Sequence, residues 1–395
     1  MQTFAHFLAI ATTILTVAGM AWCFVVLIAA FSFRLSTRKP LSAFTPGVSI
    51  LKPVKGLDPG MLEAFRSHCR QSYSGDYEIV FGAGSEDDPA VPAIRQLIAE
   101  FPERLIQFIL CPERPGTNGK VSNLIQMLPH ARHDFLIVND SDIRVSPRYL
   151  ERILSPFAAS ATNGKQVGMV TALYRGRIDA KEGRFSLGAM FEALGIATDF
   201  APGVLAARLV ERGIHFGLGS TLAVRREALQ AAGSFEALVD QLADDYELGA
   251  RIHRAGYRIH LASEVVETSV PAYSLSGFVS HQLRWARTVR DSRRWGYVGM
   301  LFTHTLPLAG LNVLASGFSF LSLWLFGLAF FLRLGSAMKV GAGILSDRTV
   351  LATLWLLPLR DCAAFLIWIW SFAGNTIHWR GERFILKDGR LHKAS

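Results

Sequence analysis

The sequence predicts an α/β fold built on a mostly parallel, Rossmann-like sheet, with apolar segments at both ends of the chain. Between about residues 46 and 290, short β-rich runs alternate with helical patterns, as in right-handed βαβ units. Several runs end in acidic residues, at the edge where parallel sheets bind their ligands. Two long stretches outside this region, residues 1–33 and 301–332, contain no Asp, Glu, Lys or Arg. We therefore expect a ligand-binding α/β domain attached to a membrane.

The first four strands can be placed along the chain in order. Continuous apolar runs predict strands at residues 48–51, 77–82, 105–110 and 135–139. Helices are predicted between them at residues 58–70, 90–100 and 119–128. Asp58-Pro59 and Asp88-Pro89 each resemble a helix cap followed by a first-turn proline. A strand followed by a helix thus recurs several times along this part of the chain.

The apolar segments predict an integral membrane protein. A spanning helix needs about 20 predominantly apolar residues, which residues 1–33 and 301–332 provide easily and residues 362–378 only just. The first segment has no basic region before it, which favours a retained anchor over a cleaved signal peptide. Residues 349–359 are too short to span alone and fit the start of a kinked helix or a re-entrant piece.

Basic residues next to these segments predict their orientation. Arg34, Arg38 and Lys39 follow the first segment, and five more basic residues follow the last, so the positive-inside rule places both on the cytosolic side. An even number of C-terminal spans follows, most simply two. We expect an anchor at 1–33, an α/β domain at 46–300, a C-terminal transmembrane region of about two spans at 301–378, and a basic cytosolic tail at 379–395.

Composition and motifs exclude several classes of protein. The net charge of +9 suits anionic lipid headgroups, and no nucleic-acid-binding module is present in the sequence. The four cysteines are far apart and have no zinc or disulfide spacing. No G-x-G-x-x-G follows the first strand and no P-loop is present, which argues against dinucleotide-binding and P-loop enzymes. The oligomeric state is left open.

Asp140-Ser-Asp142 is the strongest candidate for a ligand site. It follows the apolar run 135–139 directly, so both carboxylates should lie at the ligand-binding edge of the sheet. Carboxylate oxygens bind hard divalent cations, and such a cation can neutralise a diphosphate. The alternative is an ordinary turn, because Asp is common in turns.

Three further positions can carry chemistry or only local structure. Asp88 follows the second strand, where it either meets a ligand or caps the next helix. Asp245 begins an amphipathic helix, either as a general base with a raised pKa or as a favourable charge at the helix N-terminus. Lys120, beside Gly119, either meets an anionic ligand or is an ordinary loop lysine.

The segment around Arg284-Trp285 predicts a basic helix at the membrane surface. Four arginines share a broad helical face: Arg284, Arg287, Arg290 and Arg294. Tryptophan suits the interfacial region, and guanidinium groups bind phosphate. We expect this helix both to anchor the domain and to contact phosphate.

Taken together, these motifs resemble the ceramide glucosyltransferase family, an integral-membrane branch of the GT-A glycosyltransferases. The matching segments are Val48-Ser-Ile-Leu-Lys-Pro-Val-Lys-Gly-Leu-Asp58, Asp87-Asp-Pro-Ala90, Gly119-Lys-Val-Ser-Asn-Leu124, Asp140-Ser-Asp-Ile-Arg-Val145, Asp244-Asp-Tyr246 and Arg284-Trp285. The resemblance covers roughly residues 46–300 and implies a GT-A domain.

By this resemblance, the three aspartate motifs receive roles. Asp88 is the first aspartate, near the uridine. Asp140 is the second, and Asp142 completes a pair that binds Mg²⁺ or Mn²⁺. Asp245 is the third and acts as the general base in a single inverting displacement. Lys120 helps to place the nucleotide diphosphate.

Two departures from the family pattern concern the acceptor. His281 stands where the family has Gln or Arg, and residues 195–203 lack a histidine that animal members carry there. His281 and the segment Trp379-Arg-Gly381 resemble a bacterial branch that glycosylates hopanoid lipids. The sequence leaves the sugar open and does not separate ceramide from hopanoid or another lipid alcohol.

The resemblance thus implies an enzyme of a bacterial cytoplasmic membrane, with its catalytic domain in the cytosol. It would move one hexose or N-acetylhexosamine from a UDP-sugar to the hydroxyl of a membrane lipid, with Arg284 and Trp285 closing the site at the bilayer. Two alternatives stay open: a processive polysaccharide synthase, and a non-catalytic membrane-anchored nucleotide-sugar binder.

Overall fold

The computed structural model describes residues 2–38, 42–159, 164–178, 186–379, 382–387 and 389–393. Lys39, Arg380 and Gly381, which the sequence analysis used, lie outside these residues. The described helices are α1 (Gln2–Ser36), α2 (Met61–Cys69), α3 (Val91–Glu100), α4 (Gly119–Met127), α5 (Tyr149–Leu154), α6 (Leu187–Gly195), α7 (Ala201–Val210), α8 (Arg226–Ala231), α9 (Asp244–Arg254), α10 (Leu275–Ser292), α11 (Arg294–Gly299), α12 (Thr305–Ala315), α13 (Phe320–Ala337), α14 (Arg348–Thr353) and α15 (Leu357–Ser371).

The centre of the fold is a mostly parallel sheet. Its strands are β1 (Val48–Pro53), β2 (Tyr77–Ala83), β3 (Leu105–Leu110), β4 (Phe135–Val138), β5 (Val167–Ile178), β6 (Leu222–Arg225) and β7 (Arg258–Val270). They are ordered β3-β2-β1-β4-β6-β5-β7. All neighbours are parallel except β6, which runs antiparallel to β4 and β5. The predicted α/β class with a mostly parallel sheet is confirmed.

Helices cover both faces of the sheet, which explains why its strands are continuous apolar runs. Ile50 pairs with Ile79 on β2 and Ile137 on β4, and all three belong to one buried cluster. Their neighbours Leu51 and Val80 belong to the cluster on the opposite face. A strand that is buried on both faces carries apolar residues on both, so its sequence does not alternate between apolar and polar residues.

Asp58 and Asp88, the two residues predicted to cap helices, have other contacts in the structure. Helix α2 begins at Met61, after Gly60 in a left-handed conformation with a φ of 67°, so Asp58 is not its cap. The Asp58 carboxylate instead accepts a hydrogen bond from the Ser141 hydroxyl. Asp88 lies just before α3, and its Oδ1 accepts a hydrogen bond of 2.9 Å from the backbone N–H of Ala90.

Four described helices are long and apolar enough to cross a bilayer: Thr3–Ser36, Leu187–Val210, Phe320–Ala342 and Arg348–Ser371. The apolar stretch 301–332, predicted to be long enough for a span, contains α12 and the first part of α13. The chain turns between α12 and α13, where Gly317 and Phe318 both have a φ of 59°. Residues 349–359 begin the last long helix, and Leu187–Val210 was not predicted, because it lies within the α/β region.

Charged side chains join these apolar helices. Arg333 on α13 makes two hydrogen bonds of 2.7 and 2.8 Å to Asp361 on α15 and one of 2.7 Å to Asp199. The other Asp199 oxygen lies 2.8 Å from Arg360 Nη1. Two positive and two negative charges thus compensate each other, as buried charges require. Asp199 lies in a π-helical turn, Ile196–Phe200, that joins α6 to α7.

The chain ends in a small antiparallel sheet where the sequence analysis expected only a basic tail. Its strands are β8 (Thr376–Trp379), β9 (Glu382–Lys387) and β10 (Arg390–Lys393), in the order β10-β9-β8. Leu386 and Leu391 are buried together with Leu242 of the α/β domain. This apolar contact holds the end of the chain against the domain.

Candidate active site

The turn after β4 places Asp140 and Asp142 at the carboxyl edge of the sheet. The buried Asn139 fixes this turn through its amide, which donates to the Ser220 carbonyl oxygen at 2.6 Å. Asp142 Oδ2 accepts hydrogen bonds from Thr268 Oγ1 at 2.5 Å and from Ser269 N at 3.1 Å. Burial, reinforced by the charge of Asp140, raises the pKa of Asp142 to about 6. Asp142 is therefore held in a desolvated position beside Asp140, whose own side chain is 42% exposed.

Lys120 lies against Asp140, as expected for a lysine of this site. Its Nζ is 2.7 Å from Asp140 Oδ1 and 3.3 Å from Asp244 Oδ2. The Asn118 side chain caps α4 by accepting hydrogen bonds from Lys120 N and Val121 N. This cap fixes the backbone of Lys120 at the start of the helix. Burial lowers the pKa of Lys120, but these two carboxylates outweigh it and hold the pKa above its ordinary value.

Asp245 and Asp140 border the same space beside Gly219, which we call the gap. A Cβ atom built on Gly219 would lie 3.1 Å from Asp245 Oδ2 and 3.4 Å from Asp140 Oδ2, so both carboxylates lie within contact distance of one point. Burial, followed by the charge of Asp244, raises the pKa of Asp245 to about 6, while Lys120 opposes the shift. A carboxylate with such a pKa can accept a proton near neutral pH.

Asp140 and Asp142 have the chemistry of a partial site for a divalent metal. Among the described residues, no group of three or more His, Cys, Asp or Glu side chains is arranged to hold a metal ion. Mg²⁺ commonly takes one or two carboxylates and completes its shell with water and substrate phosphates. Asp140 and Asp142 provide such a pair, and the missing Cβ of Gly219 leaves room beside Asp140.

Asp88 lies at the same edge of the sheet, but its carboxylate is engaged by backbone groups. It accepts hydrogen bonds from Gly56 N at 2.9 and 3.1 Å and from Ala90 N at 2.9 Å. It therefore joins the loop after β1 to the start of α3. Asp58, two residues beyond Gly56, bonds to Ser141 between the two acids. This loop thus connects Asp88 with the Asp140–Asp142 turn.

A row of aromatic rings borders the site on its other side, and we call it the aromatic wall. Consecutive ring centroids are 4.9 to 5.8 Å apart, and the members are Tyr174, Phe200, Trp285, His281 and Tyr273. Burial, followed by the charges of Asp245 and Glu192, raises the pKa of Tyr174 well above its usual value. The wall therefore begins close to the candidate base.

His281 contacts a buried acid that the sequence analysis did not identify. Its Nδ1 lies 3.3 Å from Glu192 Oε1, and Gln282 Nε2 donates to Glu192 Oε2 at 2.8 Å. Arg284 influences the same region, because its charge lowers the pKa of Tyr273 against a dominant effect of burial, which raises that pKa to about 12. Trp285 and Arg284 thus both lie at the aromatic wall.

The expectation that the arginines of α10 contact phosphate stays a prediction, and in the structure two of them bind backbone carbonyl oxygens. Arg287 donates to the carbonyl oxygens of Thr376 at 2.5 Å and Ala373 at 2.9 Å. Arg290 donates to the carbonyl oxygens of Ser371 and Gly374. Both guanidinium groups therefore stabilise the segment between the last residue of α15 and the start of β8.

Sequence reasoning also missed Lys52, which is fully buried at the end of β1. Its Nζ donates to the Asp140 carbonyl oxygen at 3.1 Å. Burial lowers the pKa of Lys52 to about 7, against the charges of Asp142 and Asp140. Lys52 could have been recognised from the sequence, because a lysine inside an apolar strand is unusual. Glu192, in the apolar stretch 187–195, carried the same kind of signal.

Comparison with known proteins finds one family along nearly the whole chain. The family model for glycosyl transferase family 21 matches residues 5–392. The chain is 24% identical to ceramide glucosyltransferase 3 of Caenorhabditis elegans, over 96% of this chain and 82% of that protein. It is 29% identical to the ceramide glucosyltransferase of Komagataella phaffii, over 38% of this chain and 32% of that protein. The predicted resemblance to the ceramide glucosyltransferase family is confirmed.

A solved structure has the same fold along nearly the whole chain. It is the mannosyltransferase PcManGT from Pyrobaculum calidifontis in complex with GDP-Man and Mn²⁺, with a TM-score of 0.51 and 19% identity. The match covers 93% of this chain and 99% of that one. At this identity the likeness concerns the fold alone, and it confirms the GT-A class.

Proposed function

The chain belongs to glycosyl transferase family 21, and on this premise we propose that it moves one hexose or N-acetylhexosamine from a UDP-sugar to the hydroxyl group of a membrane lipid. The main support is the gap at Gly219, where the Asp245 and Asp140 carboxylates both lie within 3.4 Å of one position. A base and a metal-binding acid so placed can act on one substrate.

The donor would lie along the edge of the sheet between Asp88 and Asp140. Asp140 and Asp142 would hold Mg²⁺ or Mn²⁺, which when bound offsets charge on the departing diphosphate. Lys120 supplies a permanent positive charge, now shared between Asp140 and Asp244, that can pair with phosphate oxygens. Asp88 would hold the loop at Gly56 against the uridine through its bonds to backbone amides.

The reaction would be a single displacement with inversion. The acceptor oxygen forms a bond to the anomeric carbon while the bond from that carbon to the diphosphate oxygen breaks. The electron pair of the broken bond leaves with UDP, and the acceptor proton passes to the Asp245 carboxylate. Because its pKa is about 6, Asp245 is mostly ionised at neutral pH and remains basic enough to take this proton.

The lipid acceptor would reach Asp245 along the aromatic wall. Rings offer apolar surface for a lipid, while Glu192 and His281 offer polar groups for its headgroup. Arg284 and Trp285 would close this side of the site. The family resemblance suggests ceramide as the acceptor. A hopanoid alcohol is the alternative, because His281 departs from the family motif on the acceptor side of the site.

The apolar helices support a reaction at a membrane surface. Four described helices meet the length and hydropathy of a bilayer span. Arg34 lies in the last turn of the first of them and Arg38 follows it, and by the positive-inside rule these charges support a cytosolic α/β domain. We propose a bacterial cytoplasmic membrane as the location.

The test is a transfer assay with purified protein in detergent. Mg²⁺ or Mn²⁺, a panel of UDP-sugars, and either ceramide or bacteriohopanetetrol are supplied, and glycolipid is read by mass spectrometry. Asp245→Asn should abolish the product. Glu247→Gln is the matched control, because Glu247 lies on the same helix and pairs with Arg251 and Arg254.

One sugar added to one lipid, lost in Asp245→Asn and kept in Glu247→Gln, would support the proposal and identify the acceptor. Products carrying many sugars would overturn it in favour of a processive synthase. UDP release without a glycolipid would overturn both acceptor assignments.

A further inference from the structure

The small C-terminal sheet continues into the segment that leads to the candidate base. Leu242 N donates to the Gly389 carbonyl oxygen at 3.1 Å, and Leu391 N donates to the Asp240 carbonyl oxygen at 3.0 Å. Gln241 and Arg390 form an antiparallel bridge between these bonds. Residues 240–242 are therefore paired to the edge of β10. Helix α9, which carries Asp245, begins two residues later.

The same segment also holds the loop that leads to Lys120. Asp240 Oδ1 accepts hydrogen bonds from Thr117 N at 2.9 Å and Thr117 Oγ1 at 3.0 Å. Asn118 Nδ2 donates to the Gln241 carbonyl oxygen at 2.7 Å. Because Asn118 caps α4 at Lys120, a continuous series of hydrogen bonds joins the end of the chain to that lysine.

Apolar contacts support these bonds from one face of the sheet. Leu386 and Leu391 are 1% and 2% exposed and pack against Leu242. On the opposite face, Ile385 is 46% exposed. The backbone N–H of Gly389 also donates to the Asp291 carboxylate on α10. The sheet is thus fixed to the α/β domain through one face and one turn.

We propose that the C-terminal sheet positions the catalytic groups, with Leu391 as a positioning residue for Asp245 and Lys120. The inference rests on the proposed function for the roles of those two residues. Residues 240–242 have one side bonded to β10 and the other to the loop at residues 117–118. Without β10, the start of α9 would lose its outer support. Displacing a catalytic group by about 1 Å can lower a rate by about 10²-fold.

The test compares two substitutions on opposite faces of the same sheet in the full-length protein. Leu391→Asp places a charge in the buried contact, and Ile385→Asp places the same charge on the exposed face. Leu391→Met keeps the contact apolar and serves as the rescue variant. For each protein, kcat and KM for lipid transfer are measured, and hydrogen exchange is followed by mass spectrometry.

The expected result is a fall in kcat of tenfold or more for Leu391→Asp and less than twofold for Ile385→Asp and Leu391→Met. Amides at residues 239–248 and 117–121 should exchange faster in Leu391→Asp alone. Those of β1 and β4 should be unchanged, which shows that the sheet of the domain is folded. Leu391→Ala provides a milder form if Leu391→Asp loses the whole fold.

Three outcomes would overturn the inference: wild-type kcat in Leu391→Asp, an equal loss in Ile385→Asp, or lower kcat without faster exchange at residues 239–248. If the wild-type protein transfers no sugar to lipid, the proposed function fails. The coupling is then judged by exchange alone, because that readout needs no substrate.

Discussion

Replacing Gly219 with alanine tests whether the gap, which Asp245 and Asp140 border, is where the reaction occurs. Gly219 lies outside the left-handed region of φ, so alanine does not strain the backbone. The new Cβ would lie 3.1 Å from Asp245 Oδ2 and 3.4 Å from Asp140 Oδ2. Ordinary contacts of a Cβ begin at 3.4 Å, so Asp245 must move by about 0.3 Å, and the methyl group also fills space that substrate would occupy. Since a misplacement of about 1 Å can cost about 10²-fold, we expect kcat to fall by about tenfold to a hundredfold.

The assay is lipid glycosylation under saturating substrates, with thermal unfolding measured on the same samples. Gly203→Ala on α7 is the matched control, because a Cβ there meets nothing within 4 Å. We expect it to keep wild-type kcat. Wild-type kcat in Gly219→Ala would refute the reasoning, because the carboxylates could not then be acting at this gap. A loss of kcat accompanied by an equal loss in Gly203→Ala would refute it as well.

Three further predictions concern the base, the charged helices and the acceptor. Because burial raises the pKa of Asp245 to about 6, and a base acts only when deprotonated, kcat should fall about tenfold per pH unit below about pH 6; a flat profile down to pH 5 would contradict this. Arg333→Met leaves the buried Asp361 without its arginine partner and should destabilise the protein by about 3–5 kcal/mol in thermal unfolding, whereas Arg254→Met, at a side chain 65% exposed, should cost less than about 0.5 kcal/mol. Glu192→Gln weakens the contact with His281 and should raise the acceptor KM about fivefold to a hundredfold, from about 1–3 kcal/mol for a disrupted buried polar pair; an equal rise in the donor KM would contradict it.

The strands that could be predicted are those whose pattern is local. Strands β1 to β4 are continuous apolar runs bounded by turn residues, so each can be identified without its partner. Strand β6 has only four residues, Leu222–Arg225, and its antiparallel position between β4 and β5 depends on residues far along the chain. Such non-local pairing leaves little periodic signal in a short segment.

The candidate site was predictable where chemistry follows directly after a strand or at the start of a helix. Asp140, Asp142, Lys120 and Asp245 were expected in one site, and the structure brings Lys120 within hydrogen-bond distance of Asp140. Lys52 was missed because its importance comes from burial, which depends on the packing of distant segments. A charged residue in an apolar run is only a hint until its surroundings are known.

The basic helix illustrates the limit of charge patterns. The spacing of Arg287 and Arg290 predicted a shared face, but the partner of that face is the segment that follows α15. A guanidinium group binds carbonyl oxygens as readily as phosphate oxygens. Which of them it meets depends on what the fold places opposite.

The sequence by itself determined the α/β class, the family resemblance and the acids at the sheet edge, because these depend on local periodicity and on which residue follows which. Only the tertiary structure decided that Asp245 and Asp140 meet beside Gly219, and that β10 supports the segment before Asp245. Both facts join segments far apart in the chain. Their approach depends on the packing of the whole molecule, which no local pattern records.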